Sequence, residues 1–203
     1  MKIVDKNNIL SRLDKIPELH LELGCGNRKK NPDHIGIDLL DYDCVDIVGD
    51  VFEVIKLFPD SSVASVSAFH FLEHIDDPQA LLQELQRITR KNGLLEIVVP
   101  HFSNPHYYSD LTHKSSYGLY TFSYMCSCSL FRREVPSYET KYEYKLINVE
   151  LVFKSSPPFY FRHAIKKFFG FLFNLNTYTK ELYEENLCYI FPCYEIRYKM
   201  RRN

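Results

Sequence analysis

The chain has 203 residues, 45% hydrophobic and 15% aromatic, which is enough to form one compact domain with a sizeable core. Its net charge of -1 and the lack of a basic run longer than Arg28-Lys29-Lys30 argue against nucleic acid as a partner. The charge is uneven, since the residues up to Pro100 carry -6 and the remainder +5. That asymmetry suits an ordinary solvated surface, or a second half that attracts an anionic ligand or a membrane surface.

The cysteines and the apolar runs bear on the compartment. None of the six cysteines forms a CxxC pair and their density is too low for a disulfide scaffold, so a reducing, cytoplasmic setting is predicted. The neighbours Cys126 and Cys128 are not expected to be catalytic. Residues 1–10 are charged throughout and predict no secretory signal, and the longest apolar run, residues 168–173, is too short to span a bilayer.

Up to Pro100, short apolar runs alternate with polar turns. Ile9, Leu10, Leu13 and Ile16 recur at helical spacing and predict a short amphipathic helix ahead of the first strand. Five strands are then predicted, at residues 19–23, 34–39, 44–48, 63–69 and 94–99. Only about ten residues separate the first two strands, so a single turn or a loop is expected there in place of a full crossover helix.

The clearest helix precedes the fifth strand. Asp77 is its predicted N-cap, Pro78 its first residue and Gly93 its terminator. Its apolar side chains follow helical spacing, at Leu81, Leu82, Leu85 and Ile88. Strands that alternate with helical or loop crossovers imply an α/β fold with a doubly wound, mostly parallel sheet.

Beyond Pro100 the pattern changes. Residues 142–153 and 195–200 alternate polar with apolar side chains and predict a late antiparallel strand pair at one edge of the sheet. An aromatic-rich, partly helical stretch lies between them. The chain has no internal repeat and no low-complexity linker, so residues 1–203 are expected to form a single domain.

Small and acidic residues follow three successive predicted strands. Gly24 and Gly26 follow the first, where the missing Cβ atoms let a nucleotide-like cofactor approach the backbone. Asp38 ends the second, where a carboxylate can accept both hydroxyl hydrogens of a ribose. Asp50 ends the third, where it can accept from the amine of an adenine while the Val51 amide donates to the ring. A glycine or an aspartate is common in turns, but such residues at the ends of three consecutive strands predict a nucleoside site.

These segments resemble class I S-adenosylmethionine-dependent methyltransferases, which have a Rossmann-like fold. LELGCG at residues 21–26, GID at 36–38, GD at 49–50 and FLEHI at 71–75 match that family in order and spacing, over roughly residues 15–115. The resemblance implies S-adenosyl-L-methionine as the cofactor. It implies cofactor contacts from Glu22, Gly24, Cys25 and Gly26 at the methionine part, Asp38 and Leu39 at the ribose, Asp50 and Val51 at the adenine, and Phe69 or His70 beside the methionine amine.

The second half is expected to bind the methyl acceptor. Residues 100–114 and 183–192 are similar to a subgroup of small bacterial methyltransferases of type 11, for which an acceptor in surface-polysaccharide or glycolipid synthesis is expected by analogy. The domain is therefore predicted to divide into a cofactor-binding half of about residues 1–115 and an acceptor or lid half of about residues 116–203.

The loop after the fifth strand holds three histidines, an aspartate and two tyrosines within residues 100–114. Long loops at strand ends of α/β folds are often functional, and a neutral histidine can remove a proton from an acceptor. His101 is predicted as the base, with Asp110 and His113 as its partners or as acceptor contacts. Two alternatives stay open: the loop's polar side chains only hold an irregular segment together, or His101, His106, Asp110 and His113 bind a divalent metal.

The aromatic stretch at residues 157–173 carries seven Phe and Tyr side chains beside Arg162, Lys166 and Lys167. It is predicted to be a lid, a dimer contact or a peripheral membrane surface. The leading hypothesis is methyl transfer to an oxygen or nitrogen of a small-molecule acceptor, with a sugar or a lipid-linked intermediate as one candidate. The alternatives are a catalytically inactive cofactor-binding protein and a membrane-associated interaction protein.

Overall fold

The computed structural model describes residues 2–126, 130–136 and 142–203, and its centre is one mixed sheet. The strands are Val4–Asp5 (β1), Leu19–Leu23 (β2), Ile35–Asp38 (β3), Ile47–Val48 (β4), Val63–Phe69 (β5), Thr89–Pro100 (β6), Tyr144–Val152 (β7) and Glu195–Arg202 (β8). The α-helices are Val51–Ile55 (α1), Pro78–Ile88 (α2), Tyr160–Phe173 (α3) and Thr177–Asn186 (α4). Cys128, which is not expected to be catalytic, lies outside the described residues.

The sheet is mostly parallel, as predicted. Its order is β1-β4-β3-β2-β5-β6-β8-β7. The strands from β4 to β6 pair in parallel, whereas β8 runs antiparallel to both β6 and β7, which confirms the late antiparallel pair. The carboxyl ends of the five parallel strands therefore meet at one edge, where α/β proteins bind their ligands.

Strand positions agree with the sequence pattern. The predicted strands at 19–23 and 63–69 are confirmed with the same bounds, and β3 and β4 lie inside the predicted ranges 34–39 and 44–48. The strand β2 alternates apolar with polar residues, so Leu19, Leu21 and Leu23 share one face. All three are buried.

The helix α2 begins as predicted but ends early. Asp77 caps it by accepting a backbone N–H of the first turn at 2.9 Å, and Pro78 is its first residue. The prediction that the helix continues to Gly93 is wrong, because Thr89 is already extended and residues 89–93 form an irregular start to β6. A Cβ on Gly93 would lie 2.5 Å from Cγ2 of Thr89, so the glycine serves this tight turn and not a helix end.

The predicted amphipathic helix before β2 is a short 3-10 segment, Leu10–Lys15, and not an α-helix. Its geometry breaks at Arg12, where φ is -138° and ψ is 24°. Asp5 accepts the backbone N–H groups of Ile9 and Leu10 at 2.9 and 2.8 Å, which holds the segment against β1. The apolar spacing therefore marks a segment that packs against the core, while the non-helical backbone at Arg12 interrupts any regular α-helix.

Within the described residues 24–34 no helix forms between β2 and β3, in agreement with the short separation of these strands. The buried carboxylate of Glu22 holds this loop in place. Its two oxygens accept the backbone N–H groups of Lys30 at 2.7 Å and Asn31 at 2.8 Å. Hydrogen bonds to a charged group are stronger than neutral ones, so they replace the support that a crossover helix would give.

Aromatic side chains of the second half fill the core beside β7 and β8. Tyr144, Tyr183 and Tyr198 are fully buried, and the Tyr183 hydroxyl donates to the carbonyl of Phe191 at 2.9 Å. Phe173 at the end of α3 lies 4.7 Å, ring to ring, from Tyr183 of α4. This packing fixes α3 and α4 against the edge of the sheet. No helix in the described part of the chain is long and apolar enough to cross a membrane.

Candidate active site

Two glycines shape the turn after β2. Gly24 and Gly26 have positive φ angles of 61° and 60°, a conformation that strongly favours glycine. A Cβ on Gly24 would lie 2.3 Å from the Phe71 ring, so this position also has no room for a side chain. A Cβ on Gly26 would meet no atom within 4 Å, so its backbone faces open space. The turn thus presents bare backbone that a ligand can approach at Gly26, whereas the Phe71 ring covers Gly24.

Asp38 lies at the end of β3, directly beside this turn. Its Oδ2 accepts the Gly26 N–H at 2.8 Å and its Oδ1 accepts the Leu40 N–H at 2.9 Å. A carboxylate has about four lone-pair sites, so each oxygen can still accept one further hydrogen bond. This arrangement suits two neighbouring hydroxyl groups such as those of a ribose.

Asp50 and Asp38 line the same cleft, which has a volume of about 410 Å³ and is here termed the strand-end cleft. Oδ1 of Asp50 caps α1 by accepting two backbone N–H groups at 3.0 and 3.3 Å. Oδ2 has no protein donor in the part of the chain that the structure describes. Leu39 and Val51 also line this cleft, so four of the predicted cofactor residues converge there.

The other predicted cofactor residues lie around the turn. Glu22 is buried under the loop that it supports, and the Cys25 side chain is buried in a small apolar cluster. Burial, with a further contribution from the nearby Asp38 carboxylate, raises the pKa of Cys25 to about 12, so its thiol is neutral. Phe69 at the end of β5 lines neither this cleft nor the next one. The cofactor contacts of Glu22, Cys25, Phe69 and the two glycines stay predictions.

A second cleft of about 240 Å³, here termed the histidine cleft, adjoins the first, and His74 lines both. Asp110 and His113, two of the three predicted catalytic residues, lie in its wall. So does His70, whose predicted place was beside the cofactor. The remaining lining includes Glu73, Pro100, Asn104, His106, Tyr107 and Tyr194.

The structure does not bring His101 together with these residues. Its side chain is completely buried, and its Nδ1 accepts the Ser103 N–H at 3.1 Å. The ring proton must then lie on Nε2, which donates to Glu184 at 3.1 Å. Both nitrogens are therefore used in a network that ties the loop to α4. Of the four residues in the metal alternative, only His113 belongs to the group of ligand-type side chains that converges in the described residues.

A buried carboxylate links the cleft to β8. Oε2 of Glu195 accepts from His70 Nε2 at 3.1 Å and from Lys154 at 2.7 Å, while Oε1 accepts from Arg197 at 3.0 Å. Burial raises the pKa of Glu195, but these three hydrogen bonds outweigh burial and lower the pKa to about 2. Burial likewise lowers the pKa of His70, but Glu195 and Glu73 raise it to about 9. His70 is thus a cation at neutral pH.

Three residues that were not predicted from the sequence line or cover these clefts, and all three lie in the motif at residues 71–75. Phe71 covers the glycine turn, Glu73 is buried in the wall of the histidine cleft, and His74 lies between the two clefts. The motif was used only to support the resemblance. Its Glu-His pair, placed directly after a strand end, is the signal that points to a site.

The fold and the clefts define a Rossmann-like domain with one cleft at its strand ends and a polar cleft next to it. Residues 6–133, more than half of the chain, match the family model described as a methyltransferase domain. The chain therefore belongs to the methyltransferase domain family, and it is a class I S-adenosylmethionine-dependent enzyme. The bare turn at Gly26 and the carboxylate of Asp38 fit that cofactor.

Solved structures share the fold. A SAM-dependent methyltransferase from Archaeoglobus fulgidus aligns with a TM-score of 0.56 at 16% identity, over 96% of this chain and 93% of that one. Phosphoethanolamine N-methyltransferase 2 of Haemonchus contortus, solved with S-adenosyl-L-methionine, aligns with a TM-score of 0.52 at 15% identity, over 98% of this chain and 52% of that one. At these identities the likeness concerns the fold alone. Comparison with curated proteins gives no match.

The pKa of His70 predicts a pH dependence of stability. A pKa raised to about 9 from 6.5 stabilises the fold fully below pH 6.5, and this contribution is lost as the pH rises to 9. Because 41% of the side chain is exposed, solvent screening reduces the loss to roughly 1 kcal/mol. We expect the unfolding free energy, measured by urea denaturation, to fall less over this range in His70→Gln. His106→Gln, in the same cleft, is the control, and an equal fall in His70→Gln would contradict the assignment.

Proposed function

We propose that this chain transfers a methyl group from S-adenosyl-L-methionine in the strand-end cleft to an oxygen or nitrogen of a small acceptor in the histidine cleft. The observation that carries the proposal is that the two clefts meet at His74. A displacement reaction needs donor and acceptor in contact and in line, and adjoining clefts supply that geometry. The cytoplasmic setting stays a prediction from the sequence.

When bound, the cofactor supplies a methyl carbon whose bond to sulfur breaks as the acceptor bonds to it, the electron pair passing to sulfur. The protein's task is to hold the acceptor and to receive its proton. His113 donates Nδ1–H to the Tyr107 carbonyl at 2.8 Å, so its Nε2 has a lone pair in the neutral form. This Nε2 lies 3.7 Å from Oδ2 of Asp110, which can stabilise the imidazolium that forms.

His101 has no part in this step, because it is buried and both its nitrogens are hydrogen bonded. Its role in the proposal is to position the loop that carries Asp110 and His113. Ser103 contributes to the same support, since its hydroxyl accepts the Cys193 N–H at 3.1 Å. The loop after β6 thus has a structural first part and a polar second part that faces the cleft.

The acceptor is proposed to carry an anionic group. A third cleft of about 230 Å³, here termed the basic cleft, shares Asn104, His106 and Tyr194 with the histidine cleft. Lys154, Arg162 and Lys166 line it, and no carboxylate does. Neither Arg162 nor Lys166 has an ion-pair partner among the described residues, which suits a phosphate or carboxylate from a ligand.

An apolar stripe on α3 supports a lipid-linked form of that acceptor. Phe161, Ile165 and Phe168 recur at i, i+4 and i+7, and Phe161 is 81% exposed. The opposite side of α3 packs on the core through Phe173. Because α3 also supplies Arg162 to the basic cleft, a headgroup bound there would hold its acyl chains near the stripe.

The cofactor site has a direct test. We expect Asp38→Ala to weaken binding of S-adenosyl-L-methionine and S-adenosylhomocysteine by about 1–3 kcal/mol, measured by titration calorimetry, because two ribose hydrogen bonds are lost. Asp41→Ala is the matched control, since Asp41 is an exposed neighbour that pairs with Lys6 outside the cleft. If neither ligand binds the wild type, the assignment of this cleft is wrong.

Methyl transfer itself separates an enzyme from an inactive cofactor-binding protein. With a labelled methyl donor and a panel of phosphorylated sugars and amino alcohols, His113→Asn should lower kcat by about 100-fold or more, since it removes the proton acceptor. Calorimetric affinity for the cofactor should stay as in the wild type. Asp41→Ala again serves as control. Cofactor binding without transfer to any acceptor in the wild type would favour the inactive alternative.

Vesicle binding tests the lipid-linked acceptor and the membrane alternative. We expect the wild type to co-sediment with vesicles containing phosphatidylglycerol more than with phosphatidylcholine alone, because Arg162, Lys166 and Lys167 lie on the same helix as the stripe. Serine at Phe161, Ile165 and Phe168 together should abolish this binding. The control replaces the exposed Leu175, Tyr178 and Leu182 at and near α4 by serine. Equal loss in the control, or no binding at all, would rule out the stripe.

A further inference from the structure

The side chain of Glu73 is the least satisfied charged group in the histidine cleft. It is buried, only 1% exposed, and neither carboxylate oxygen has a hydrogen bond among the described residues. Among the described residues its ion-pair partner is His70, whose Nδ1 lies 3.4 Å from Oε1 and whose Nε2 is hydrogen bonded to Glu195. A buried carboxylate without hydrogen bonds is costly, so its position in a cleft wall requires an explanation.

Two histidines beside Glu73 have their Nδ1 atoms occupied. The Thr112 hydroxyl donates to Asp110 at 2.6 Å, so it accepts from Nδ1 of His74 at 2.9 Å. The Tyr107 carbonyl accepts from Nδ1 of His113 at 2.8 Å. In the neutral rings both protons are therefore on Nδ1 and both Nε2 atoms have lone pairs. This is the tautomer that metal-binding histidines adopt when a neighbouring oxygen orients them.

The three side chains converge. A carboxylate oxygen of Glu73 and one ring nitrogen each of His74 and His113 lie within 4.8 Å of one another. The two imidazole rings are 4.9 Å apart between centroids. In a tetrahedral zinc site the ligand atoms are about 3.4 Å apart, so the side chains would need to draw together by about 1 Å. Rotation of the imidazole rings and the carboxylate supplies a movement of that size.

We propose that Glu73, His74 and His113 bind a divalent transition-metal ion, with Zn²⁺ as the reference ion. Two imidazoles and one carboxylate are a donor set that suits such ions and leaves a fourth position open. The ion supplies direct bonds to the Glu73 carboxylate, which otherwise has the His70 ring at 3.4 Å but no hydrogen bond among the described residues. The set differs from the metal alternative considered from the sequence, with which it shares only His113.

The proposed ion deepens the proposed function, on which this part of the inference rests. The open position faces the cleft assigned to the acceptor. A hydroxyl oxygen bound there would lose its proton to solvent more readily, as water does on zinc, and would attack as an alkoxide. The ion, and not an imidazole, would then activate the acceptor, while Asp110 would orient His74 through Thr112.

The experiment measures metal binding without turnover. Wild-type protein freed of metal by a chelator is dialysed against Zn²⁺, and its metal content and affinity are determined. One ion per chain is expected, and about 100-fold weaker binding in His113→Ala and in Glu73→Gln. His106→Ala, in the same cleft but outside the set, should bind as the wild type does. Thr112→Val, which removes the hydroxyl that links the His74 ring to Asp110, should weaken binding about tenfold.

Cobalt identifies the ligands. Bound Co²⁺ should give the visible absorption of a tetrahedral nitrogen and oxygen site without the charge-transfer bands of a thiolate, which would exclude binding by a cysteine. Absence of a bound ion in the wild type, or binding that His113→Ala and Glu73→Gln leave unchanged, would overturn the metal site. Methyl transfer by the chelated wild type at full rate would overturn the role of the ion and leave the imidazole as the base, so the proposed function would stand.

Discussion

The contact between the Phe71 ring and the backbone of Gly24 determines where the clefts of this protein meet. Gly24 follows β2 and Phe71 follows β5, two strands that lie side by side and in parallel. Because any side chain at Gly24 would overlap the ring, the segment after β5 lies directly on the glycine turn. Residues 72–74 then pass into the histidine cleft. This contact thus fixes the position of the glycine turn relative to the histidines of the second cleft.

Buried and half-buried carboxylates hold the loops and strands around the clefts, and most of these carboxylates accept hydrogen bonds from the protein itself. Glu22 accepts two loop amides, Glu184 accepts from His101 and the Leu119 N–H, and Glu195 accepts from three cations. Each of these carboxylates ties a loop or a strand of one half to another element, at a desolvation cost that the hydrogen bonds offset. Glu73 differs because its hydrogen bonds are missing. This contrast between Glu73 and the other carboxylates supports the proposed metal site.

Much of the fold could be predicted from the sequence because its signals are local. The strands at 19–23 and 63–69 are short, mostly apolar segments that end at polar or glycine residues, and Asp77 with Pro78 marks a helix start whatever surrounds it. Boundaries that depend on tertiary contacts could not be predicted. Gly93 looks like a helix terminator, but it serves a tight turn against Ala64 and Thr89 that is visible only once β5 and β6 are paired.

The candidate site likewise has a part that the sequence predicts and a part that depends on tertiary contacts. Asp38 and Asp50 stand at strand ends, so their common cleft follows from topology alone. The role predicted for His101 depended on its nearness to a strand end, and the sequence cannot show that Glu184, 83 residues away, accepts a hydrogen bond from its ring. The pairing of His74 with His113 likewise depends on how two segments far apart in sequence pack together.

The uneven charge of the chain gains a physical meaning from these clefts. Asp38, Asp50 and Asp76 line the strand-end cleft, and all three belong to the acidic first half. Its lining also includes one cation, Lys114. A sulfonium cofactor is cationic near its reacting carbon, so an acidic cleft favours it over its neutral product. The basic cleft is lined by α3, by the segment between β7 and α3, and by residues 104–106 and 192–194, all of which follow Pro100. Opposite fields at the two ends would orient a cationic donor and an anionic acceptor toward the histidines between them before either is fully bound.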